Sequence, residues 1–277
     1  MRDLTDREIA AYRSDGVAHL PALVDAATVA RLLVAADERM AEPGPFGRNL
    51  TDDGFFFQDR DLYRDQQVFA DFARDSGFAA LAGRAMGASR ISLYFDHLFA
   101  LGPNSAKDAY YWHQDQPYWA CAGEQVCSIW LALTDCALDS GALEFVKGTD
   151  RGLLHLPTRF GENSEHAEGA DGAHVPDGMT EDPPPAFHDN RDRYEILTWD
   201  IRAGDALMFN TRIMHSSRGN HSPDQRRVAY STRWVGDDVT FSVTPGFQDP
   251  ITFPEDGFPQ GGKMTEAKKF PVYWRAG

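Results

Sequence analysis

The sequence predicts a mainly β fold with flanking helices, closed as a double-stranded β-helix (a cupin-like jelly roll), and three observations predict it. Up to about residue 89 apolar residues recur at helical spacing. From Arg90 onward short β-branched and aromatic runs are separated by Gly, Pro, Asp and Asn turns. No helical stretch alternates with those runs, which favours an antiparallel sandwich or barrel over a parallel α/β sheet. A chain of 277 residues, 42% hydrophobic and 25% charged, is long enough for one substantial core. The expected organisation is a single domain over 1–277. A helical region, 1–89, packs on a barrel, 90–240, which carries a lid-like insertion at 158–193 and is followed by a C-terminal extension, 241–277.

Taken in order, Thr5 and Glu8 make a capping box, Leu4 and Ile9 can staple across it, and Gly16 stops the first helix. Val17 to Leu20 reads as extended. A second helix starts after Asp25, runs through Val29, Leu32, Leu33 and Ala36, and ends at Pro43 and Gly44. Two more helical patches lie between Asp65 and Met86. The predicted strands are Ile91 to Leu101, Tyr110 to Asp115, Gln125 to Leu133, Ala142 to Val146, Ile196 to Trp199, Ala206 to Phe209, Ile213 to Ser217 and Val228 to Val235. Between Thr158 and Arg193 a Gly-, Pro- and acid-rich stretch has neither period, and connectors beyond about 15 residues in compact domains are usually lids or disordered.

The formal charge of −15 argues against a sequence-independent grip on nucleic acid or anionic lipid, so neutral or cationic small molecules are the easier partners. No run approaches the roughly 20 apolar residues of a membrane span and the N-terminus lacks an apolar signal region, so a cytoplasmic location is expected. Cys121, Cys127 and Cys136 form neither an even framework nor a C-x-x-C pair, so buried thiols with no disulfide partner are expected. Whether the chain is a monomer or a homodimer is not legible.

The chemistry gathers at Trp112-His113-Gln114-Asp115. On a strand, residues two apart share a face, so the His113 imidazole and the Asp115 carboxylate can converge on one ion. A third ligand must come from another strand, and His215 is the candidate, on an apolar run reached after the Gly204-Asp205 turn. Two histidines and a carboxylate leave three coordination positions open, as a ferrous oxygenase needs to take a cosubstrate and O₂ together. His166-Ala167-Glu168 has the same spacing without an apolar flank, so it is set aside. Beyond His215, Arg226 and Arg227 lead an apolar strand that would not begin with an inward cation unless an anion met it; the far carboxylate of 2-oxoglutarate is that anion, with a hydroxyl such as Ser217 assisting.

These residues resemble the phytanoyl-CoA dioxygenase family of iron- and 2-oxoglutarate-dependent oxygenases. The resemblance rests on Trp112-His113-Gln114-Asp115 with Tyr118-Trp119, Ile129-Trp130-Leu131-Ala132-Leu133, Ser140-Gly141-Ala142-Leu143-Glu144-Phe145-Val146, Ala203-Gly204-Asp205, His215-Ser216-Ser217 with Asn220, and the arginine-led strand, in order across roughly 90–240. It implies Fe(II) on His113, Asp115 and His215, and 2-oxoglutarate on Arg227 and Ser217, with Gln114 and Trp130 lining that pocket. Arg226 has the commoner offset from His215, but Arg227 alternates with Ala229, Ser231 and Arg233, the small or polar face expected inside a barrel, and is preferred. Tyr118, Trp119, His97 and Phe99 are the candidate substrate contacts, although His97 and the two neighbouring aromatics also suit a core. Lys147-Gly148-Thr149-Asp150 and Leu101-Gly102-Pro103 depart from the family pattern without removing a ligand. Asp115 disfavours the halogenase branch, in which a small residue replaces this carboxylate.

The implied activity is an Fe(II)-, 2-oxoglutarate- and O₂-dependent hydroxylation of an unactivated C–H bond of a small organic molecule, releasing succinate and CO₂. Two rivals use other chemistry. A cupin-like zinc or manganese hydrolase or isomerase leaves the arginine-led strand unexplained. A silent jelly-roll binding module would usually have lost a ligand, and all three are present.

Overall fold

A computed structural model describes residues 2–51, 54–105, 110–157, 175, 177–243, 259–266 and 269–277. Along the chain run α1 (Asp6–Asp15), β1 (Val17–Leu20), α2 (Ala26–Ala41), β2 (Arg48–Asn49), β3 (Phe56–Arg60), α3 (Gln67–Asp75), α4 (Phe78–Met86), β4 (Arg90–Leu101), β5 (Tyr110–His113), β6 (Cys121–Ala122) and β7 (Val126–Ala132). There follow β8 (Leu143–Val146), β9 (Leu154–His155), β10 (Met179–Thr180), β11 (Ile196–Leu197), β12 (Ala206–Asn210), β13 (His215–Ser217), β14 (Arg227–Val235), β15 (Thr240–Phe241) and β16 (Val272–Arg275).

The helices form where local signals ask for them. Thr5 and Glu8 close the capping box of α1, and Gly16 ends it in the left-handed region at φ 82°. Asp25 caps α2 by accepting from the Thr28 amide at 2.9 Å. The buried side chains of all four helices meet one face of a large sheet ordered β1-β12-β7-β14-β4-β3-β2, with β16 also paired to β4.

Alternation along the central strands decides what each face does. Ile129, Leu131, Met208, Val228 and Tyr230 pack toward the helices, while Trp130, Ala132, Leu207, Phe209 and Ala229 point the other way. That second face meets Leu143 and Phe145 of a smaller sheet, β11-β8-β13-β5. Two facing antiparallel sheets of this order are the double-stranded β-helix that the sequence predicts, and the space between them is where inward side chains converge.

Several boundaries differ from expectation. β5 stops at His113, because Asp115 has helical torsions (φ −69°, ψ −44°) and leads into the turn Gln116–Tyr118. β3 and β16 are absent from the strands that the sequence predicts; β3 lies between β4 and the short edge strand β2, and β16 pairs with β4. β16 is more than an appendage. The Trp274 ring fills the place where a Cβ on Gly83 of α4 would stand, 2.2 Å from that position, and Met264 and Phe270 join a core cluster with Tyr94 and Trp119. Cys121, Cys127 and Cys136 are buried thiols. Among the described residues no helix is long and apolar enough to cross a membrane.

Of the stretch expected to be lid-like, 158–174 and 176 lie outside the described residues, and the decoy His166-Ala167-Glu168 lies there too. The later part is anchored. β10 pairs with β9, and Phe187 is buried against Trp112 and Tyr194 with ring centroids 5.5 and 4.7 Å apart.

Candidate metal centre

His113 and His215 are direct partners across the β5–β13 ladder, so the sheet itself brings their rings together, with centroids 4.3 Å apart. The turn after β5 then swings Asp115 back under them. Its Oδ1 stands 3.7 Å from the Nε2 of each histidine, and one ligand atom from each of the three residues lies within 4.8 Å of the others. Their side chains are 10%, 14% and 7% exposed.

Both imidazoles are held in the tautomer a metal requires. The Nδ1 of His113 donates to the Tyr111 carbonyl at 2.7 Å and the Nδ1 of His215 to the Ile213 carbonyl at 3.1 Å. Since a carbonyl only accepts, each Nδ1 carries the hydrogen and each Nε2 presents a lone pair to the centre. Burial, then the neighbouring His113, push His215 down to about 4, which keeps it neutral near pH 7. Burial works against the charge of Asp115, but in acid, where an imidazole nitrogen facing it can carry a proton, His215 and His113 together with Arg233 outweigh it and hold the carboxyl well below the usual carboxylate range. Ser128 on β7 donates to Asp115 Oδ2 at 3.5 Å. Two imidazole nitrogens and one ionised carboxylate turned toward one point fit a first-row divalent ion with its other positions open.

A second group of expected residues meets one strand-step away. Arg227 is 1% exposed and donates to the Gly141 carbonyl at 2.9 Å. Ser217 donates to the same carbonyl at 3.3 Å, and the Arg227 guanidinium lies 5.9 Å from the Trp130 ring centre. Arg226 instead faces solvent and makes a two-pronged pair with Asp37 at 2.6 and 2.9 Å. Alternation along β14 thus turns Arg227 inward and Arg226 outward.

Gln114 departs from expectation. Lying between two inward ligands it points the other way, and both amide donors go to backbone carbonyls, of Arg212 at 2.7 Å and Leu153 at 3.2 Å, while its oxygen accepts from the His155 amide. It clamps the ligand turn to its neighbours and does not line the pocket beside Arg227.

The four residues expected at the substrate make the following ring contacts. Tyr118 lies edge-on to His113 at 6.0 Å, the His97 and Phe99 rings lie tilted against each other at 3.9 Å, and Trp119 packs on Phe95 at 5.2 Å within a core cluster. Sequence reasoning assigns no role to Ser128 or Arg233. The signal for both is the inward alternation, Ser128 with Trp130 and Arg233 with Arg227, which the register on β7 and β14 bears out.

Comparison with known proteins fits this geometry. The model of the phytanoyl-CoA dioxygenase (PhyH) family matches residues 12–228. The chain belongs to the phytanoyl-CoA dioxygenase family. An ectoine dioxygenase of Nocardia farcinica is 23% identical over 238 residues, 81% of this chain and 76% of that protein. Among solved structures, the non-haem alpha-ketoglutarate-dependent epimerase SnoN of nogalamycin biosynthesis superposes with a TM-score of 0.73 at 22% identity, covering 98% of this chain and 96% of that one. The carbocyclase SnoK of the same biosynthesis gives 0.73 at 20%, covering 97% and 96%, and EctD from S. alaskensis 0.66 at 18%, covering 90% and 89%. At such identities these likenesses speak for the fold. Family membership together with the His–Asp–His cluster makes the chain an iron- and 2-oxoglutarate-dependent oxygenase, with O₂ as the oxidant.

Proposed function

We propose that this family member hydroxylates an unactivated C–H bond of a small organic molecule, with release of succinate and CO₂, and that the whole chain works as one catalytic domain. The observation that carries the reading is the pairing of a two-histidine, one-carboxylate cluster on the smaller sheet with a buried arginine on β14 of the sheet that faces it.

In this reading His113, Asp115 and His215 hold Fe(II). Iron held there would offer coordination positions to 2-oxoglutarate and O₂ and would supply the oxidising power for a C–H bond. Arg227 receives the far carboxylate in a charge-assisted fork, with Ser217 beside it and Trp130 as the wall. The spacing suits this assignment: Ser217 lies two residues beyond His215 on one strand, about 6.6 Å, comparable to the length of a five-carbon diacid. The Tyr111 and Ile213 carbonyls fix the ligand rings, and Ser128 holds the free oxygen of Asp115. Gln114 keeps the ligand turn rigid. Tyr118, His97, Phe99 and Trp119 wall the space left for substrate and limit water there.

The test is an anaerobic titration with Fe(II) and 2-oxoglutarate, followed by air and an assay for succinate. The visible charge-transfer absorption of a chelated 2-oxo acid should appear at one equivalent, and succinate should form slowly without substrate and faster with one. No absorption and no succinate would leave a hydrolytic or isomerising metal site as the better reading.

A further inference from the structure

Strand β14 turns a second arginine into the barrel. Arg233 follows Arg227, Ala229 and Ser231 on the inner face and is 4% exposed. It sits at a β-bulge, where pairing with β4 slips from Phe95 opposite Arg233 to Leu93 opposite Trp234; bulges re-aim side chains beside working sites. Its Nε lies 4.0 Å from Asp115 Oδ2, and its guanidinium donates to Ser231 Oγ. Phe95, Phe99 and Trp119 surround the guanidinium, with ring centres 5.6, 6.0 and 5.6 Å away. These contacts to ring faces hold the cation in one orientation.

Positive charge accumulates on this side. His97 stands opposite Ser231 of β14 on one side and opposite Arg60 of β3 on the other, and Arg48 lies on the strand beyond. Burial, then Arg233, Arg60 and Arg48, push the His97 imidazole well below its ordinary value. In a chain of net charge −15, this row of cations across β14, β3 and β2 is a local reversal.

The cofactors do not account for it. A divalent ion, Asp115, dianionic 2-oxoglutarate and Arg227 cancel one another's charge. An ion in the triad also shares the Asp115 carboxylate, which weakens its claim on Arg233. A guanidinium held in an aromatic, low-dielectric wall next to the reacting centre is suited to a carboxylate or similar anion, which its planar fork matches.

We propose that Arg233 anchors the substrate, and that the substrate carries an anionic group of the carboxylate class on a small apolar body. The anion sits on Arg233 and the body lies against His97 and Phe99, which presents a C–H bond to the metal. This inference rests on the oxygenase reading and adds the substrate's charge to it. Arg233 is then a specificity-determining residue rather than a support for Asp115 alone.

The test is calorimetric titration of the Mn(II)-loaded protein, saturated with 2-oxoglutarate so that Arg227 is occupied, with 4-bromobenzoate and with the neutral, near-isosteric 4-bromobenzamide. The acid should bind at least tenfold more tightly than the amide, and in Arg233→Gln that preference should fall below twofold. No preference in the wild-type protein, or a preference that survives in R233Q, overturns the proposal; the second result, with weakened Mn(II) binding, is what a support for Asp115 alone would give. A crystal of the wild-type complex soaked in 4-bromobenzoate needs no variant. The bromine anomalous peak should place the carboxylate on Arg233, and a peak elsewhere or none overturns the proposal. Failure of 2-oxoglutarate to bind counts against the oxygenase reading instead, and the acid and amide are then compared on the metal-loaded protein alone.

Discussion

At the residue scale the two arginines at the head of β14 provide a sharp contrast. Arg227 is buried with its guanidinium on the Gly141 carbonyl, whereas Arg226 makes an exposed pair with Asp37. Truncating a buried charge partner typically costs ~2–5 kcal/mol, which is roughly 30-fold or more in affinity, while exposed pairs are worth ~0–1 kcal/mol. Arg227→Ala should therefore raise the Kd for 2-oxoglutarate by about 30-fold or more, and Arg226→Ala should change it by less than about fivefold, as measured by titration of the Mn(II)-loaded protein. The reverse order would show that the strand is read out of register. The His113, Asp115 and His215 cluster is legible in the sequence because imidazole and carboxylate carry their donor chemistry in the residue type, and His-x-Asp needs little context to bring them together. Gln114 was misjudged because it sits between two ligands and so points opposite to them. Arg233 was passed over because no short motif marks it, although the alternation that selects Arg227 places it on the same face.

At the element scale the sequence foretold β4, β7, β12 and β14, whose apolar runs are long enough for period and composition to agree. It missed β3 and β16, short strands whose reason to exist is a partner distant in the chain. Gly83 and Trp274 make that partnership testable. In an ordinary helix Gly→Ala gains up to ~1 kcal/mol, but here the new Cβ would stand 2.2 Å from the Trp274 ring. Gly83→Ala should lower the Tm, and a raised Tm would mean that β16 does not seat on α4. β4 carries a second test, on its helix-facing side. Asp96 accepts from the Tyr230 hydroxyl at 2.6 Å and the Tyr63 amide at 2.9 Å, and burial raises its carboxyl to about 7. A carboxyl raised above its unfolded value of about 3.9 adds stability that is complete below pH ~4 and lost as pH rises through 7. The stability of the wild type relative to Asp96→Asn should therefore fall between pH 4 and 8, by at most about 4 kcal/mol from ~1.4 kcal/mol per pKa unit. Urea unfolding at pH 5 and pH 8 measures it, and a difference that does not change with pH would contradict the assignment.

At the scale of the whole molecule, the large sheet turns one face to the helices and the other to a smaller sheet, so a single ladder partner, His113 opposite His215, sets the metal centre deep in the fold. Loading the site should then stabilise the entire protein. A ligand at 100 times its Kd adds ~2.7 kcal/mol, which for a chain of this size corresponds to a rise in Tm of about 5 °C. Mn(II) with 2-oxoglutarate should produce that shift in the wild type and little or none in Asp115→Ala; an equal shift in both would place the metal elsewhere. Overall acidity said nothing about the pocket, because net charge is an average over the surface, and the arginines beside His97 come together only through the pairing of β2, β3, β4 and β14. The most direct measurement is a crystal structure of the protein grown anaerobically with Fe(II) and 2-oxoglutarate, with diffraction recorded at the iron edge. One anomalous peak should lie about 2 Å from the Nε2 atoms of His113 and His215 and from a carboxylate oxygen of Asp115, with the far carboxylate of 2-oxoglutarate on Arg227. A peak away from these three residues, or 2-oxoglutarate bound with its far carboxylate on Arg233, would contradict the account.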